Sequence, residues 1–468
     1  MEPGGGMNAR EALLDAKRLV PPRREPAARQ LPLIPYIQSL RANALLGWPS
    51  AAYEEPITKR RVLGRSSFTV CDPEAIRHIL VDNQANYLRT SGSVRILRPI
   101  LGDGLLISEG AAWRHQRRAL APAFTPKAIE RLTPHIASAV DDAMVELEAE
   151  AARGPVALFP FLHRLALEIA GRSMFSVAME RHGPELRRFI AEYSVRIGRP
   201  HLLDILIPLG WPAPLDLPRA LFRRRWTPFL DTIIAARAAE AAPREARDLL
   251  DLLIAVRNPE TGEAFSYGEL RDQVATMILA GHETTAVALF WALYMLALAP
   301  ETQERVAAEA RDADLSEAAG CASDGRLPLT RAVVDETLRL YPPAFLIVRR
   351  AVAADRIGAQ AIAPDDIVAI PPWVLHRHRR FWRDPDAFDP GRFLPGAPPV
   401  PRYAYLPFGV GPRVCIGAQF ALTEAVLALA RIVGRFRITP IDPRPILPAA
   451  VVTTQPEHTP PFRLEARP

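Results

Sequence analysis

Residues 408–417 read Phe-Gly-Val-Gly-Pro-Arg-Val-Cys-Ile-Gly and hold Cys415, one of only three cysteines in a chain of 468 residues. The glycines in this stretch allow tight turns and a close approach of the backbone to a flat, bulky group. The apolar run at residues 416–436 predicts a buried helix. Cys415 would then lie at a helix N-terminus, where free N–H groups favour a thiolate, which is a good ligand for iron. The alternative is an inert buried cysteine at a helix start.

The composition is that of an ordinary globular protein, with 49% hydrophobic and 24% charged residues. Cys71, Cys321 and Cys415 lie far apart, which argues against a disulfide framework and for a reducing, cytoplasmic location. The net charge is +6, but the arginines are spread along the chain without a nucleic-acid motif, so we expect no nucleic-acid partner. Residues 1–36 carry charges and no apolar segment of signal-peptide type. We therefore expect an extended N-terminal segment and no integral membrane anchor.

A second informative stretch, residues 266–300, predicts a helix about 50 Å long that begins with a capping box. Four polar residues, His282 to Thr285, interrupt its apolar run near the middle, which excludes a transmembrane helix. Gly281 indicates that space is needed there, and Thr284 can donate a hydrogen bond to the carbonyl of Ala280 and bend the helix. An acid beside an alcohol at such a point can carry protons to bound dioxygen. The alternative is a satisfied polar kink in a buried helix.

Three shorter patterns are weak when taken alone. Trp113 and Arg117 are spaced to share one helix face, which also describes a surface pair of an aromatic residue and a cation. Glu336 and Arg339 lie one turn apart and can pair, although an exposed pair contributes less than about 1 kcal/mol. Arg392 follows in the sequence Phe-Asp-Pro-Gly-Arg-Phe at 388–393.

The spacing Phe408-x-x-Gly411-x-Arg413-x-Cys415-x-Gly417 resembles the haem-ligating loop of the cytochrome P-450 family. The string Ala-Gly-His-Glu-Thr-Thr at 280–285 resembles that family's oxygen-activating helix. The three shorter patterns and these two stretches occur along the chain in the same order as in that family. The resemblance covers roughly residues 30 to 465. It implies a mainly α protein with a small β region, in which a single large helical domain surrounds haem. We expect residues 1–36 to be the extended segment and 37–468 the cytochrome P-450 domain of a soluble bacterial member.

The resemblance also implies roles for particular residues. Cys415 would ligate the iron of haem b, with Phe408 and Gly417 beside it, and Glu283 and Thr284 would deliver protons to dioxygen. The implied propionate ligands are Trp113, Arg117, Arg349 and Arg413. The implied structural lock on the haem-binding side consists of Glu336, Arg339 and Arg392. The expected substrate pocket is lined by Ile96, Leu101, Met277, Ala280, Phe345, Leu346, Ile347 and Val452.

The implied activity is that of a haem-thiolate monooxygenase, which inserts one oxygen atom from O2 into an apolar small molecule. A fatty acid, a terpenoid or carotenoid, and a steroid-like compound are all compatible with an apolar pocket. Two alternatives remain: a peroxide-dependent or isomerising haem-thiolate enzyme without a redox partner, and a non-catalytic haem-binding sensor.

No flavin or iron–sulfur segment is visible in the sequence, so electrons from NAD(P)H are expected to arrive through a separate protein. Eight arginines are predicted to make the face near Cys415 positive and to attract an acidic ferredoxin or flavodoxin-type donor. They are Arg114, Arg118, Arg377, Arg379, Arg380, Arg383, Arg402 and Arg413. The alternative is a solvated basic face without a partner. Residues 202–211, apolar and followed by basic residues, could be a lid that touches a membrane surface or two helix ends packed on the core.

Overall fold

The structure, a computed structural model, describes residues 19–468 apart from 63, 177–181, 200, 202, 205–206, 208, 239–246, 258–261, 314 and 316–324. The described chain is mainly α-helical with a small β region, as predicted. The helices are α1 (Leu33–Ala42), α2 (Pro73–Arg77), α3 (Ser91–Leu101), α4 (Gly110–Leu120), α5 (Pro126–Arg153), α6 (Leu158–Phe175), α7 (Gly183–Glu192), α8 (Asp216–Ala238), α9 (Leu249–Ala255), α10 (Tyr267–Leu298), α11 (Pro300–Asp312), α12 (Pro328–Leu340), α13 (Pro372–Leu375) and α14 (Ala418–Arg435).

Eleven strands form the β region of the described chain. They are β1 (Ile57–Val62), β2 (Arg65–Val70), β3 (Tyr87–Leu88), β4 (Ile347–Ala351), β5 (Asp355–Ile357), β6 (Gln360–Ile362), β7 (Ile367–Ile370), β8 (Phe436–Pro440), β9 (Pro448–Ala450), β10 (Thr454–Pro456) and β11 (Phe462–Ala466). The largest sheet has the order β1-β2-β7-β4-β3, in which β2 and β7 are parallel and the other pairs are antiparallel. Three two-stranded sheets pair β9 with β10, β8 with β11 and β5 with β6.

Helix α10 is the central element, and its start is fixed by the predicted capping box. The Ser266 hydroxyl accepts a hydrogen bond from the Glu269 N–H, and the Glu269 carboxylate accepts one from the Ser266 N–H. Among the described helices, α10 is the one long and apolar enough to cross a membrane, but 78% of its most apolar 18-residue window is buried inside the protein. It is therefore a core helix, as the polar residues at its middle predicted.

The hydrophobic core has two parts, and α10 contributes to both. Residues 286–297 of α10 pack in the larger part, together with α14 and the sheets. Residues 270–278 supply apolar side chains to the smaller part, which also contains side chains of α3, α7 and α8. Between these two parts, Ala280 is exposed and Gly281 and Thr284 are half-buried. The polar middle of α10 therefore lies where the apolar packing is interrupted and the helix surface is accessible.

The predicted lock between α12 and the segment after α13 is present. The Arg339 Nε and Nη2 atoms donate hydrogen bonds of 2.7 Å to the two Glu336 oxygens, and both side chains are fully buried. The Arg392 Nε lies 3.5 Å from Glu336 Oε1. Arg339 also donates to the carbonyls of His376, Pro385 and Ala387, so one guanidinium ties a helix to two turns of the following chain.

His376 extends this lock towards the Cys415 loop. Its Nε2 accepts a hydrogen bond of 2.8 Å from the N–H of Leu406, and its Nδ1 lies 3.2 Å from the carbonyl oxygen of Arg339. Burial and the nearby Arg339 lower the pKa of His376 to about 3, so the ring is neutral and can accept from Leu406. The chain is thus fixed two residues before Phe408, where the loop begins.

The N-terminal boundary differs from the prediction. Residues 19–32 form no helix, but α1 already begins at Leu33, so the predicted limit of the extended segment at residue 36 falls inside a helix. The residues before α1 are packed on the domain, since the Phe388 N–H donates to the Leu19 carbonyl and the Tyr341 hydroxyl donates to the Pro22 carbonyl. Residues 1–18 lie outside the described part of the chain.

We predict that Glu336→Gln destabilises the protein by about 3–5 kcal/mol, because it leaves the buried Arg339 guanidinium without a compensating charge. The matched control is Glu185→Gln, which removes a carboxylate from an exposed pair with Arg188 at the same i,i+3 spacing. That control should cost less than about 1 kcal/mol. The free energy of unfolding measures both changes, and equal effects would contradict the assignment of a buried lock.

Candidate haem-thiolate site

The Cys415 loop is built by two glycines with left-handed backbone conformations. Gly409 has φ 71° and Gly411 has φ 75°. A Cβ atom at Gly411 would lie 2.3 Å from the Leu80 carbonyl oxygen, so no larger residue fits there. The Cys415 N–H donates a hydrogen bond of 2.8 Å to the Phe408 carbonyl and closes the loop. Helix α14 begins at Ala418, two residues later than predicted, and Gly417 is its N-cap residue.

The Cys415 side chain keeps accessible surface although protein atoms surround it on most sides. Burial raises the pKa of the Cys415 thiol above its ordinary value, while the Gly417 N–H and the Arg117 guanidinium oppose this shift. Desolvation outweighs these two groups, so the predicted thiolate at the helix start stays a prediction for the protein with a cation at the sulfur. A cation bound at the sulfur would supply the missing charge, since metal coordination deprotonates a thiol.

Three arginines crowd together close to this loop, and a single carboxylate lies among them in the part of the chain that the structure describes. Arg349 and Arg413 were predicted, and the structure adds Arg89. The Glu109 carboxylate pairs with Arg413 and lies 3.8 Å from the Arg89 Nε. Burial, with repulsion from neighbouring guanidinium groups, lowers the pKa of Arg89 to about 9 and that of Arg349 to about 10. The cluster carries more positive than negative charge and needs further anions.

Two buried N–H groups of the cluster show where such anions would fit. The Nε of Arg89 and the Nη1 of Arg413 have no hydrogen-bond partner within the described residues. The Arg413 guanidinium lies 4.4 Å from the ring centroid of Trp113, which orients it. The two propionates of a haem match this unpaired charge. Arg117 also interacts electrostatically with the Cys415 sulfur, and its propionate role stays a prediction.

Sequence reasoning missed Arg89. It lies directly after the two-residue strand β3 and before the N-cap Thr90 of α3, and no motif distinguishes it from the other arginines of the chain. Its proximity to Arg349 comes from the sheet, where β3 pairs with β4.

The middle of α10 has the local geometry that was predicted. The Thr284 hydroxyl donates a hydrogen bond of 2.6 Å to the Ala280 carbonyl. A Cβ atom at Gly281 would lie 3.0 Å from the Met174 Cε, so the glycine permits close packing of α6 against α10. The Thr284 hydroxyl is thus held at the accessible break between the two parts of the core.

Glu283 does not bond to Thr284. Its Oε1 accepts hydrogen bonds from the Thr453 hydroxyl at 2.6 Å and from the Gln455 amide at 2.8 Å. Successive residues of a helix point about 100° apart, so the acid and the alcohol face different neighbours. The two are adjacent in sequence but are not connected as a proton-transfer pair in this arrangement.

Two further buried polar pairs adjoin this turn of α10, and neither was predicted. The Thr285 hydroxyl lies 3.2 Å from Glu424 Oε2 of α14, and burial raises the pKa of Glu424 well above its usual range, which favours its protonated form. The His282 Nε2 lies 3.2 Å from the His163 Nδ1 of α6, and burial lowers the pKa of His282 to about 3. Both pairs join helices distant in sequence.

The predicted substrate-pocket residues divide into two groups. Ile96, Ala280, Leu346, Ile347 and Val452 retain accessible surface. Leu101, Met277 and Phe345 are buried in the core, and Leu101 has no accessible surface at all. Leu101 therefore does not line an accessible pocket, because it packs in the smaller part of the core, and Phe345 packs edge-on against Trp48.

The predicted basic face is also only partly on the surface. Arg377 is buried with its guanidinium 3.7 Å from the Trp373 ring centroid, and Arg413 belongs to the arginine cluster. Arg379 is exposed but pairs with Glu54. The remaining exposed members are Arg114, Arg118, Arg380, Arg383 and Arg402.

Metal ligation by a cluster of several side chains is not found, since the described residues contain no group of three or more His, Cys, Asp or Glu able to hold an ion. A single cysteine on a glycine loop, a cluster of arginines in need of anions and a helix with an accessible alcohol instead define a haem-thiolate protein. A model of the family "Cytochrome P450" matches residues 44–461. The chain belongs to the cytochrome P450 family.

Similar proteins agree with this assignment. Cyclooctatin synthase of Streptomyces melanosporofaciens is 36% identical, with 84% of this chain and 85% of that protein covered. Cyclooctat-9-en-7-ol 5-monooxygenase of the same organism is 29% identical over 93% of this chain and 95% of its own length. A crystal structure of the cytochrome P450DA heme domain superimposes with a TM-score of 0.78 at 24% identity, covering 97% of this chain and 99% of that one, which shows the fold. The protein is a haem-dependent monooxygenase that uses dioxygen.

We predict that Cys415→Ala abolishes the absorption spectrum typical of the carbon-monoxide complex of a reduced, thiolate-ligated haem. The matched control is Cys71→Ala, since Cys71 is buried in the larger part of the hydrophobic core and burial raises the pKa of its thiol. That control should keep the spectrum. Retention of the spectrum in Cys415→Ala would contradict the assignment, and its loss on changing Cys321, which lies outside the described residues, would move the ligand there.

Proposed function

We propose that this protein hydroxylates an apolar, terpenoid-type molecule, with haem b held by Cys415 and electrons supplied by a separate protein. The observation that carries the proposal is the accessible break in α10, where the Thr284 hydroxyl donates to the carbonyl of the exposed Ala280. When bound, the haem activates dioxygen through its thiolate-ligated iron. The residues of the chain hold the cofactor, orient the substrate and deliver protons.

We assign cofactor binding to the positively charged residues near the Cys415 loop and to the backbone shape of that loop. Arg89, Arg349 and Arg413 neutralise the propionates, and Trp113 holds the Arg413 guanidinium in place. Arg117 stabilises the Cys415 thiolate. Phe408 and Gly417 shape the loop, since the Phe408 carbonyl accepts from the Cys415 N–H and the Gly417 N–H approaches the sulfur.

The substrate class is supported by the accessible lining and by the relatives. The accessible members of the predicted pocket carry no charged group, which favours a hydrocarbon-like substrate. The name of one relative specifies the alcohol cyclooctat-9-en-7-ol, and another relative is a cyclooctatin synthase. A screen of cyclic terpenoid alcohols, beginning with cyclooctat-9-en-7-ol, should give a saturable change of the haem absorption spectrum. A response only to fatty acids or steroids would redirect the substrate assignment.

Two rival activities make different predictions. A peroxide-dependent or isomerising enzyme would turn over without a redox partner, and a haem-binding sensor would not turn over at all. The Thr284 hydroxyl at the accessible turn of α10, with the buried Glu283 carboxyl group next to it in sequence, favours dioxygen activation over both. Turnover with dioxygen and a reductase, compared with peroxide alone, separates the three.

We predict that Thr284→Ala binds haem and substrate normally but diverts electrons to hydrogen peroxide. The productive reaction is RH + O2 + 2 H⁺ + 2 e⁻ → ROH + H2O, and the wasteful one is O2 + 2 H⁺ + 2 e⁻ → H2O2. Loss of the hydroxyl removes a proton donor from the accessible turn, so product per electron should fall several-fold. Thr284→Ser keeps the hydroxyl and should restore coupling. Unchanged coupling in Thr284→Ala would leave the threonine with a structural role only.

The electron donor is proposed to be an acidic ferredoxin or flavodoxin-type protein that is reduced by NAD(P)H through its own reductase, in the cytoplasm. Arg114 and Arg118 are exposed on α4, the helix whose Trp113 contacts Arg413 of the Cys415 loop. This places positive charge beside the loop, where it accelerates association with an acidic partner.

We predict that the double change Arg114→Glu/Arg118→Glu slows reduction by an acidic ferredoxin and weakens the dependence of the rate on salt. The matched control is Arg61→Glu/Arg65→Glu, the same charge change at exposed positions of the β1–β2 hairpin. Substrate affinity should stay unchanged in both variants. Stopped-flow reduction rates measure the effect, and equal rates in the two variants would place the docking surface elsewhere.

A further inference from the structure

The Glu283 carboxylate is held by a part of the chain that lies about 170 residues away. Its Oε1 accepts from Thr453 at 2.6 Å and from Gln455 at 2.8 Å, and both Glu283 and Thr453 are buried. Hydrogen bonds from neutral donors to a carboxylate are stronger than those between neutral groups. Two of them on one oxygen fix the direction in which the acid points.

This direction is not towards the alcohol. The Thr284 hydroxyl donates to the Ala280 carbonyl at 2.6 Å, and its neighbour Glu283 is engaged with Thr453 and Gln455. Proton transfer needs a distance of about 2.6–3.2 Å between the two groups or one intervening water. While both donors hold Oε1, the Glu283 carboxyl group is not free to turn towards Thr284.

The two donors flank a residue that is anchored on both sides. Thr454 is fully buried, its carbonyl accepts a hydrogen bond of 2.7 Å from the Trp291 Nε1 of α10, and its hydroxyl donates one of 2.7 Å to the Pro342 carbonyl. Thr454 also pairs with Ala450 where β10 meets β9. The base of this hairpin is therefore fixed to the core.

The tip of the same hairpin is not anchored in this way. Residues 451–453 form the bend between β9 and β10, and Val452 is 43% exposed at its tip. Thr453 connects the tip of the hairpin with Glu283, because it follows Val452 in the chain and its hydroxyl donates a hydrogen bond to the Glu283 carboxylate. A displacement of the tip moves the Thr453 hydroxyl while Thr454 stays in place.

We propose that the hairpin tip, residues 451–453, couples substrate binding to proton delivery: a substrate that contacts Val452 withdraws the Thr453 hydroxyl and frees Glu283 to serve Thr284. Thr453 and Gln455 are then positioning residues for the acid. This inference rests on the proposed monooxygenase function. Both the productive and the wasteful reduction of dioxygen consume two protons, so holding the acid slows both until a substrate is present.

The test uses the haem-loaded protein and cyclooctat-9-en-7-ol as the probe, in the wild type and in Thr453→Val, which keeps the shape of the side chain and removes its donor. Infrared difference spectra report the state of the Glu283 carboxyl group, whose bands are identified by their absence in Glu283→Gln. In the wild type, the ligand should change these bands. In Thr453→Val, the bands should already be changed without ligand and respond little to it.

A second readout is the rate of dioxygen consumption without substrate, measured with excess reduced ferredoxin. Loss of one hydrogen bond to a charged group should raise this rate about tenfold in Thr453→Val. The matched control is Thr439→Val at an exposed position of β8, which should behave as the wild type. Val452→Ala keeps both donors to Glu283 and shortens the tip, so it should abolish the ligand-induced infrared change even if Thr453→Val fails to fold.

The outcomes separate this inference from the proposed function. If the wild type makes product but the ligand leaves the Glu283 bands unchanged, or if Thr453→Val matches Thr439→Val in both readouts, the coupling is wrong and the monooxygenase assignment stands. If the wild type gives neither a thiolate-ligated haem spectrum nor product with any compound of the screen, the proposed function itself fails.

Discussion

The candidate site depends on one constraint, which is that α10 must cross the whole protein inside its core and yet keep a single turn polar and accessible. A 32-residue helix is about 48 Å long, and nearly all of it can be stabilised only by apolar burial. The two parts of the core meet this need at either end of the helix. Between them, Ala280 and Thr284 keep accessible surface, and the Thr284 hydroxyl donates a hydrogen bond to the helix backbone at the Ala280 carbonyl. The Thr284 hydroxyl therefore stays accessible at this turn with its hydrogen bond made inside the helix.

The Cys415 loop and the residues around it depend on electrostatics. The fully buried pair of Glu336 and Arg339 fixes the chain that leads to the Cys415 loop. His376 extends this fixed region to Leu406, whose N–H donates a hydrogen bond to the His376 ring. The arginine cluster then provides charge that the protein does not neutralise by itself. A buried cation without an anion is costly, so the cluster favours a ligand with carboxylates over an empty site. The same loop holds a thiol whose burial disfavours the charged form, and a bound metal ion removes that penalty.

Sequence predicted the features whose contacts are local. The capping box of α10, the bond from Thr284 to Ala280 and the pair of Glu336 with Arg339 all join residues three or four apart, where helix geometry determines the contact. The start of α14 was placed too early because apolar periodicity cannot show that Gly417 is the N-cap.

Contacts between distant segments could not be predicted in this way. Arg89 reaches the arginine cluster through sheet pairing, and Glu283 is held by Thr453 and Gln455. Leu101 has the apolar character of a pocket residue, but it is buried completely because α3 turns that side towards the core. Apolar side chains of a core and of a pocket are alike in sequence, and only packing separates them.

The most direct test of this account is turnover of the substrate under ¹⁸O2, with an acidic ferredoxin and its reductase as the electron source. We expect a product that contains one ¹⁸O atom and that forms only when the donor protein is present. Unlabelled product, or equal product formation from hydrogen peroxide without the donor, would contradict the assignment of this chain as a dioxygen-dependent monooxygenase.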